Sequence, residues 1–514
     1  MYRTLIGTLA LGAALAVQPA LAQKTTLNVG MASADAGKLD PHLSATTPDK
    51  ALFNYMFNGL VRFKPGSMNP ETIEPDIAEK WSSSEDAKTW TFNIRRGVQC
   101  HHGYGEITSA DIVYSLQRAA DPKRSGFSSD FKDFDKVEAV DANTIRVTLK
   151  SAVPSLLGLL TNYHGGNIVC KKAAEEMGEN FQKKPVGTGP FMFSEYAPKQ
   201  SVTLVAHKGY FRGAPKLEKV VYRYIPSDAS RDLAYTSGEI DLLYGKGEQT
   251  WVERMGKLPN TVVEVFEPAE MAVLYLNTKM KPLDDLRVRQ ALGHALNIAE
   301  IVTFKGAAVA RPAKSIVPIG YLGFTDDVPL LKYDPAKAKA LLTEAGYPNG
   351  LTIKIIHTSL PGMLSTIEVV QQQFRKSGII LDMEIVEHAT FHAEIRKDKS
   401  AIVQYQAARF PIADTYLTQF FHSSAIVGTP TAVTNFTHCN DADAEIVAAR
   451  SEPDQAKQKA LWKTAQQKLM TKVCALPIYE NLLVWARRGN FDFGFKLEGS
   501  LNLGPVVSEL AHFK

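Results

Sequence analysis

Apolar and polar positions trade places along this chain in a way that sets its elements. In the run Thr89–Arg95, Thr89, Phe92 and Ile94 mix with Trp90, Asn93 and Arg95, which predicts a short, partly buried β-prone strand. Arg96-Gly97 breaks the run. Ser109 then stands where a helix N-cap belongs, and Asp111 puts negative charge in the first turn, where the helix dipole favours it. Ile112, Val113, Leu116 and Ala119/Ala120 recur at helical spacing until Asp121-Pro122 ends the helix. Val137 to Leu149 reads as a hairpin around Asp141-Ala142-Asn143, and Pro154 opens an apolar helix. Leu27 to Met31 reads as the first strand.

The second half carries clearer helix signals. Asp284 or Asp285 caps a helix whose buried face runs through positions 288, 291, 292, 295, 296 and 298. Asp334-Pro335 to Ala345-Gly346 has a capping Asp, Pro at the first position and Gly at the end. A strand at Leu351–Ile356, a helix near Ile367–Lys376 and a strand at Ile379–Val386 follow. That alternation predicts an α/β lobe with substantial parallel pairing.

The first 22 residues form a different pattern: Arg3, an uncharged apolar run from Leu5 to Val17, then Ala20-Leu21-Ala22. This reads as a secretory signal peptide (1–22), with the mature chain starting at Gln23. The apolar run falls short of the roughly 20 residues that span a bilayer. No Cys follows the cleavage site, so the expected product is soluble, periplasmic and without a lipid anchor. The rest is too long for one core and predicts two or three lobes. Charge is nearly balanced, 58 basic against 54 acidic residues, with no basic block of the kind that binds nucleic acid. Cys100, Cys170, Cys439 and Cys474 in an oxidising compartment predict disulfides, with three connectivities open.

Few residues suggest chemistry. Gly187-Thr188-Gly189 lacks the Gly-Lys-Ser/Thr of a phosphate loop. A periplasmic hydrolase is disfavoured because there is neither a Gly-x-Ser-x-Gly elbow nor a His-Glu-x-x-His pair. A metal or haem carrier would use His42, His101 or His102, but His101 and His102 are adjacent, and adjacent strand residues point to opposite faces. No metal and no cofactor is therefore expected.

Taken together, the stretch Pro75–Pro122 resembles the signature region of extracellular solute-binding family 5, the large peptide/nickel-type binding proteins of ABC importers. Leu39-Asp40-Pro41-His42 and Asn54–Leu60 resemble the family's opening, and Gly187–Phe191, Tyr210–Gly213, Lys219–Ile225, Ser237–Asp241, Leu276-Asn277-Thr278 and Leu283–Leu292 are similar to its later segments, in order. Cys100 departs from the family's usual aromatic and His102 from its usual aspartate. The resemblance implies an α/β, two-lobed periplasmic binding protein fold of the large, cluster C type. Lobe I would be 23–266, with a small subdomain at about 60–186; lobe II would be 267–481, and 482–514 would return to lobe I. Two strands, near Val262–Tyr275 and Ile478–Ala486, would cross as a hinge. That division pairs Cys100 with Cys170 and Cys439 with Cys474, each within one lobe. It also implies a monomer that binds a small molecule, delivers it to ABC permease subunits and performs no chemistry.

By the same resemblance, cargo contacts fall on Ser33 and Asp35 after the first strand, Lys246 in the Leu243–Glu248 loop, the Thr358–Met363 loop with Thr358 and Met363, and the segment Ala401–Tyr416. Peptide carriers of the family commonly have a Gly-Trp here, then an aspartate for the peptide's amino terminus. Here Tyr405-Gln406 replaces the first and Arg409 the second. A guanidinium repels an ammonium and suits a carboxylate or phosphate. The expected cargo therefore carries an anionic group bound by Arg409, as in an opine- or sugar-type conjugate, rather than being a free-amino peptide. Alternatively Arg409 pairs with Asp414 or points to solvent. Tyr405, Phe410 and Tyr416 are candidate aromatic walls, of which at least one should be core.

Overall fold

In the computed structural model, residues 24–44, 47–128, 130–161, 165–428 and 434–514 are described. The expected signal peptide and its cleavage site lie outside the described residues. Within Thr89–Ile94 the alternation is strict: Trp90, Phe92 and Ile94 are buried and the residues between them half-buried. This strand lies inside an antiparallel sheet ordered Ala78–Ser83, Thr89–Ile94, Thr144–Leu149, Phe134–Asp141, the last two being the expected hairpin. The helix Ser109–Ala120 buries Ile112, Leu116 and Ala119. Its cap is Thr108, one residue before the expected Ser109. Thr108 has the extended backbone a cap needs, and its N–H and hydroxyl donate to the Asp111 carboxylate at 2.9 and 3.0 Å.

Nine strands form the main sheet. Its order is Ile402–Ala407, Thr261–Leu276, Ala475–Arg488, Leu242–Tyr244, Thr26–Met31, Lys219–Tyr224, Ser201–Ala206, Phe191–Ala197, with Ala310–Pro312 also paired to Ala475–Arg488. Thr26–Met31 runs parallel to both neighbours, and Leu27, Val29 and Met31 are fully buried. Gly187 and Gly189 let the chain lie against the end of helix Thr47–Met56: a Cβ at either would stand within 2.5 Å of the Met56 backbone.

Thr261–Leu276 and Ala475–Arg488 are the two crossing strands. They pair antiparallel at Thr261–Phe266 and again from Glu270 to Tyr275, with the register shifting between Phe266 and Glu270. One buried apolar cluster draws on residues 27 to 242, Phe266 and residues 485 to 513. Two others draw mainly on residues 271 to 479. The molecule is thus two-lobed, and a pair of strands with an irregular middle joins the cores. Among the described residues no helix is long and apolar enough to cross a membrane.

Parallel pairing in the second lobe is less extensive than expected. Leu351–Thr358 and Ile379–Val386 pair in parallel over eight residues, but as a separate two-stranded sheet. Ile402–Ala407 instead joins the first crossing strand antiparallel. The helix between the parallel strands spans Pro361–Lys376, starting earlier than expected because Pro361 takes its first position. The expected Thr358–Met363 loop shrinks accordingly to Ser359 and Leu360. Asp285 and Asp334 cap their helices as predicted, each accepting from a first-turn N–H.

Candidate functional site

Ile402–Ala407 is the edge of the main sheet in the second lobe, and the chain leaves it through Ala408-Arg409-Phe410 into helix Ala413–Phe421. Tyr405 is almost fully buried. It stacks among Phe420, Phe436 and His392 at 5.5 to 6.0 Å between ring centres. With Met363, Gln406, His388, His392 and Glu270 it lines a cavity beside the first crossing strand. Gln406 donates to the Tyr479 hydroxyl at 2.7 Å.

Arg409 is half-buried. Its Nε donates to Gln419 Oε1 at 2.6 Å and its Nη1 to the Ala408 carbonyl at 2.9 Å, while the guanidinium lies 5.4 Å from the Phe420 ring centre. No pairing with Asp414 is seen: that carboxylate instead stands 3.5 Å from Arg450. Burial pushes the Asp414 pKa up, and Arg450 offsets part of that push.

Two further charged groups feel the field of Arg409. Lys50, on helix Thr47–Met56 of the first lobe, is only 9% exposed. Burial, and then the positive field of Arg409, pushes its pKa down to about 8 against the pull of Asp130. Glu270 stands on the first crossing strand, where its exposed surface is cavity wall. Desolvation raises its carboxyl pKa, and Arg409 opposes the rise. Arg409 thus acts electrostatically on a lysine of the other lobe and on a carboxylate of the first crossing strand.

Phe410 closes one side. A Cβ added at Gly158, on helix Leu156–Thr161 of the first lobe, would stand 2.3 Å from its ring. The Phe63 ring centre lies 6.4 Å away. Phe410 is therefore mostly a contact between lobes. Lys459 and Glu71 add an ion pair across the same gap at 2.7 Å.

The remaining expected contacts are engaged elsewhere. Ser33 Oγ donates to the Asp35 carbonyl at 2.8 Å. Burial pushes the Asp35 carboxyl pKa up, but hydrogen bonds from Lys199 N–H, Tyr196 hydroxyl and Ala36 N–H, each 2.8 Å, outweigh it. Lys246 pairs with Glu248 at 2.8 Å. Thr358 is fully buried at its strand's end, while Met363, though it lines the cavity beside Tyr405, is helical rather than in a loop. Tyr416 is a core residue whose hydroxyl donates to the Ala407 carbonyl at 2.6 Å.

The histidines singled out earlier have structural partners. His42 meets Arg118 at 2.8 Å and the Asn167 carbonyl at 3.0 Å. His101 Nδ1 accepts from Gly187 N–H at 3.3 Å, and Nε2 faces the Gly189 carbonyl at 2.9 Å. Burial pushes its pKa down to about 3, so it stays neutral and holds the Gly187–Gly189 loop. His102 is exposed. Cys100–Cys170 and Cys439–Cys474 are both bonded, with Cα atoms 6.1 and 6.2 Å apart.

A two-lobed fold with a charged cleft at its crossing strands defines a binding protein that holds a solute between lobes. Residues 72–427 match the bacterial extracellular solute-binding proteins, family 5 (middle), and the chain belongs to that family, whose members supply ABC importers. It is 30% identical over 398 residues to the dipeptide-binding protein of Escherichia coli, covering 71% of this chain and 72% of that one. It is also 30% identical to heme-binding protein A of Haemophilus influenzae, over 66% of each chain. Among solved structures, MoaA of A. tumefaciens R10 in complex with mannopinic acid is 49% identical, with a TM-score of 0.81 over 96% of this chain and 100% of that one. HbpA2 of Haemophilus parasuis is 25% identical, with a TM-score of 0.84 over 95% and 100%.

Proposed function

We propose that this protein captures a small amino-acid-derived anion of the opine type between its lobes and delivers it to an ABC permease from the periplasm. Arg409 takes the solute's carboxylate, Lys50 adds positive charge from the other lobe, and Glu270 receives the amine. Phe410 and Tyr405 border the apolar part. We assign 24–266 with 482–514 to the lobe that carries Lys50, and 267–481 to the lobe that carries Arg409. The protein acts as an exported monomer that leaves its solute chemically unchanged.

The observation that carries this reading is that Arg409 acts electrostatically on both Lys50 of the other lobe and Glu270 of the first crossing strand. A solute that draws these cations together favours the closed arrangement over the open one, which is what capture requires. The 49% identity to a mannopinic acid complex supports the same class. Isothermal calorimetry with mannopinic acid, glutathione and the dipeptide Met-Leu tests it. One-to-one binding of mannopinic acid, weakened at least tenfold in Arg409→Ala, is expected; preference for the dipeptide, or unchanged affinity in Arg409→Ala, overturns it.

A further inference from the structure

The two apolar clusters of the second lobe leave a gap where they meet. Ala313, Met470 and Ala475 come from one cluster, Leu296, Val473 and Leu476 from the other, and together they wall a cavity of about 230 Å³. It shares no lining residue with the cavity beside Tyr405. Pro329 to Leu331 cover it. That cover is pinned at both ends. Before it, Gln467 Nε2 donates to the Asp327 carbonyl at 2.9 Å; after it, His294 Nδ1 lies 2.7 Å from the Lys332 carbonyl and Asp334 N–H donates to the His294 carbonyl at 2.8 Å. Between the pins Leu330 is 43% exposed. Leu331 reaches inward: a Cβ added at Gly293, on helix Leu286–Ala295, would stand 2.3 Å from its Cδ1. Every residue around the cavity is apolar or glycine except Lys314. Lys314 is exposed, so it stands at the rim, and among the described residues its ammonium has no ion pair.

We propose that this cavity is a second binding site, for a medium-chain monocarboxylate such as octanoate or decanoate, with the acyl chain between the two apolar clusters and the carboxylate at Lys314. Apolar walls with one cation at the rim match a hydrocarbon chain with one anionic end. Each methylene leaves water for contact with both clusters, which is the favourable step. Size sets the class. An apolar cavity of about 150 Å³ accepts the six carbons of benzene; this one, half as large again, takes about nine by the same measure. The pinned cover lets Leu330 and Leu331 close over the chain while their neighbours stay anchored. Nothing in this inference rests on the identity of the solute held between the lobes.

Calorimetry with hexanoate, octanoate, decanoate and tetradecanoate, all below their micellar concentrations, tests it. Binding should be one-to-one. From hexanoate to octanoate each added methylene should tighten it about threefold to fourfold, and the gain should level off by tetradecanoate, which is longer than the cavity. Lys314→Glu alters an exposed side chain, and should weaken decanoate about fivefold while leaving uncharged decanol as it was. Leu330→Asp, also at an exposed position, puts a charge against the acyl chain and should weaken decanoate and decanol alike, by at least tenfold. Mannopinic acid affinity should be the same in both variants as in the wild type. Absence of saturable binding, equal decanoate affinity in Lys314→Glu or in Leu330→Asp, or displacement of decanoate by mannopinic acid overturns the proposal.

Discussion

Lys50 gives up its proton more readily than an ordinary lysine, and this has a sign that can be worked out. In the free protein its pKa is about 8, lowered by burial and by Arg409. A bound anion stabilises the charged form, so binding needs that proton. Affinity for mannopinic acid should be flat below about pH 7 and fall as pH rises through about 8, where an ordinary lysine is still charged. Lys50→Met should bind about tenfold more weakly at pH 7, since a charge-assisted contact is worth about 1.5–3 kcal/mol. It should also lose the decline. Calorimetry from pH 6 to 9.5 checks both, and an unchanged pH profile in Lys50→Met contradicts the assignment. Without ligand the linkage reverses. The unfolded chain keeps the proton until about pH 10.4, so this lysine's contribution favours the folded state increasingly as pH rises from about 8 toward that value. Arg409 stands out as a candidate in the sequence because it breaks a family pattern. Lys50 does not: Pro48-Asp49-Lys50 reads as the solvated start of a helix, and the opposite lobe supplies part of its setting. Glu270 was hidden too, one of three acids spaced three apart in a strand.

At the scale of elements, local chemistry carried far. A β-prone run placed Thr89–Ile94, and a capping Asp with Pro335 placed the start of helix Pro335–Glu344. The misses share a cause. Pro361 serves a loop or a first helical turn equally well, and only packing of Met363 and Ile367 against the lobe decides for the helix. Pairing partners of Ile402–Ala407 likewise depend on distant strands. The Cys439–Cys474 bridge ties the chain ahead of helix Asp443–Ser451 to the start of the second crossing strand, closing a separation of 35 residues. Its loss should destabilise that lobe by about 3–4 kcal/mol through the freed unfolded chain. Urea unfolding of Cys439→Ser/Cys474→Ser should therefore show a lower midpoint, and an unshifted curve would count against a structural role.

For the whole molecule, the order of family segments foretold two lobes and two crossing strands, while lobe-to-lobe contacts lay beyond any local pattern. Gly158 shows why: its lack of a side chain matters only because Phe410 arrives from the other lobe. Gly158→Leu should hold the lobes apart. Small-angle scattering should then show a larger radius of gyration with mannopinic acid present than the wild type shows, and affinity should fall. Equal compaction in both proteins contradicts that contact's part in closure. The central claim is that Arg409 holds the solute's carboxylate between closed lobes. A crystal structure with mannopinic acid tests it most directly. The claim predicts a carboxylate within about 3 Å of the Arg409 guanidinium, with Lys50 and Glu270 bordering the same ligand. A ligand seated elsewhere, or one turning its amine toward Arg409, contradicts it.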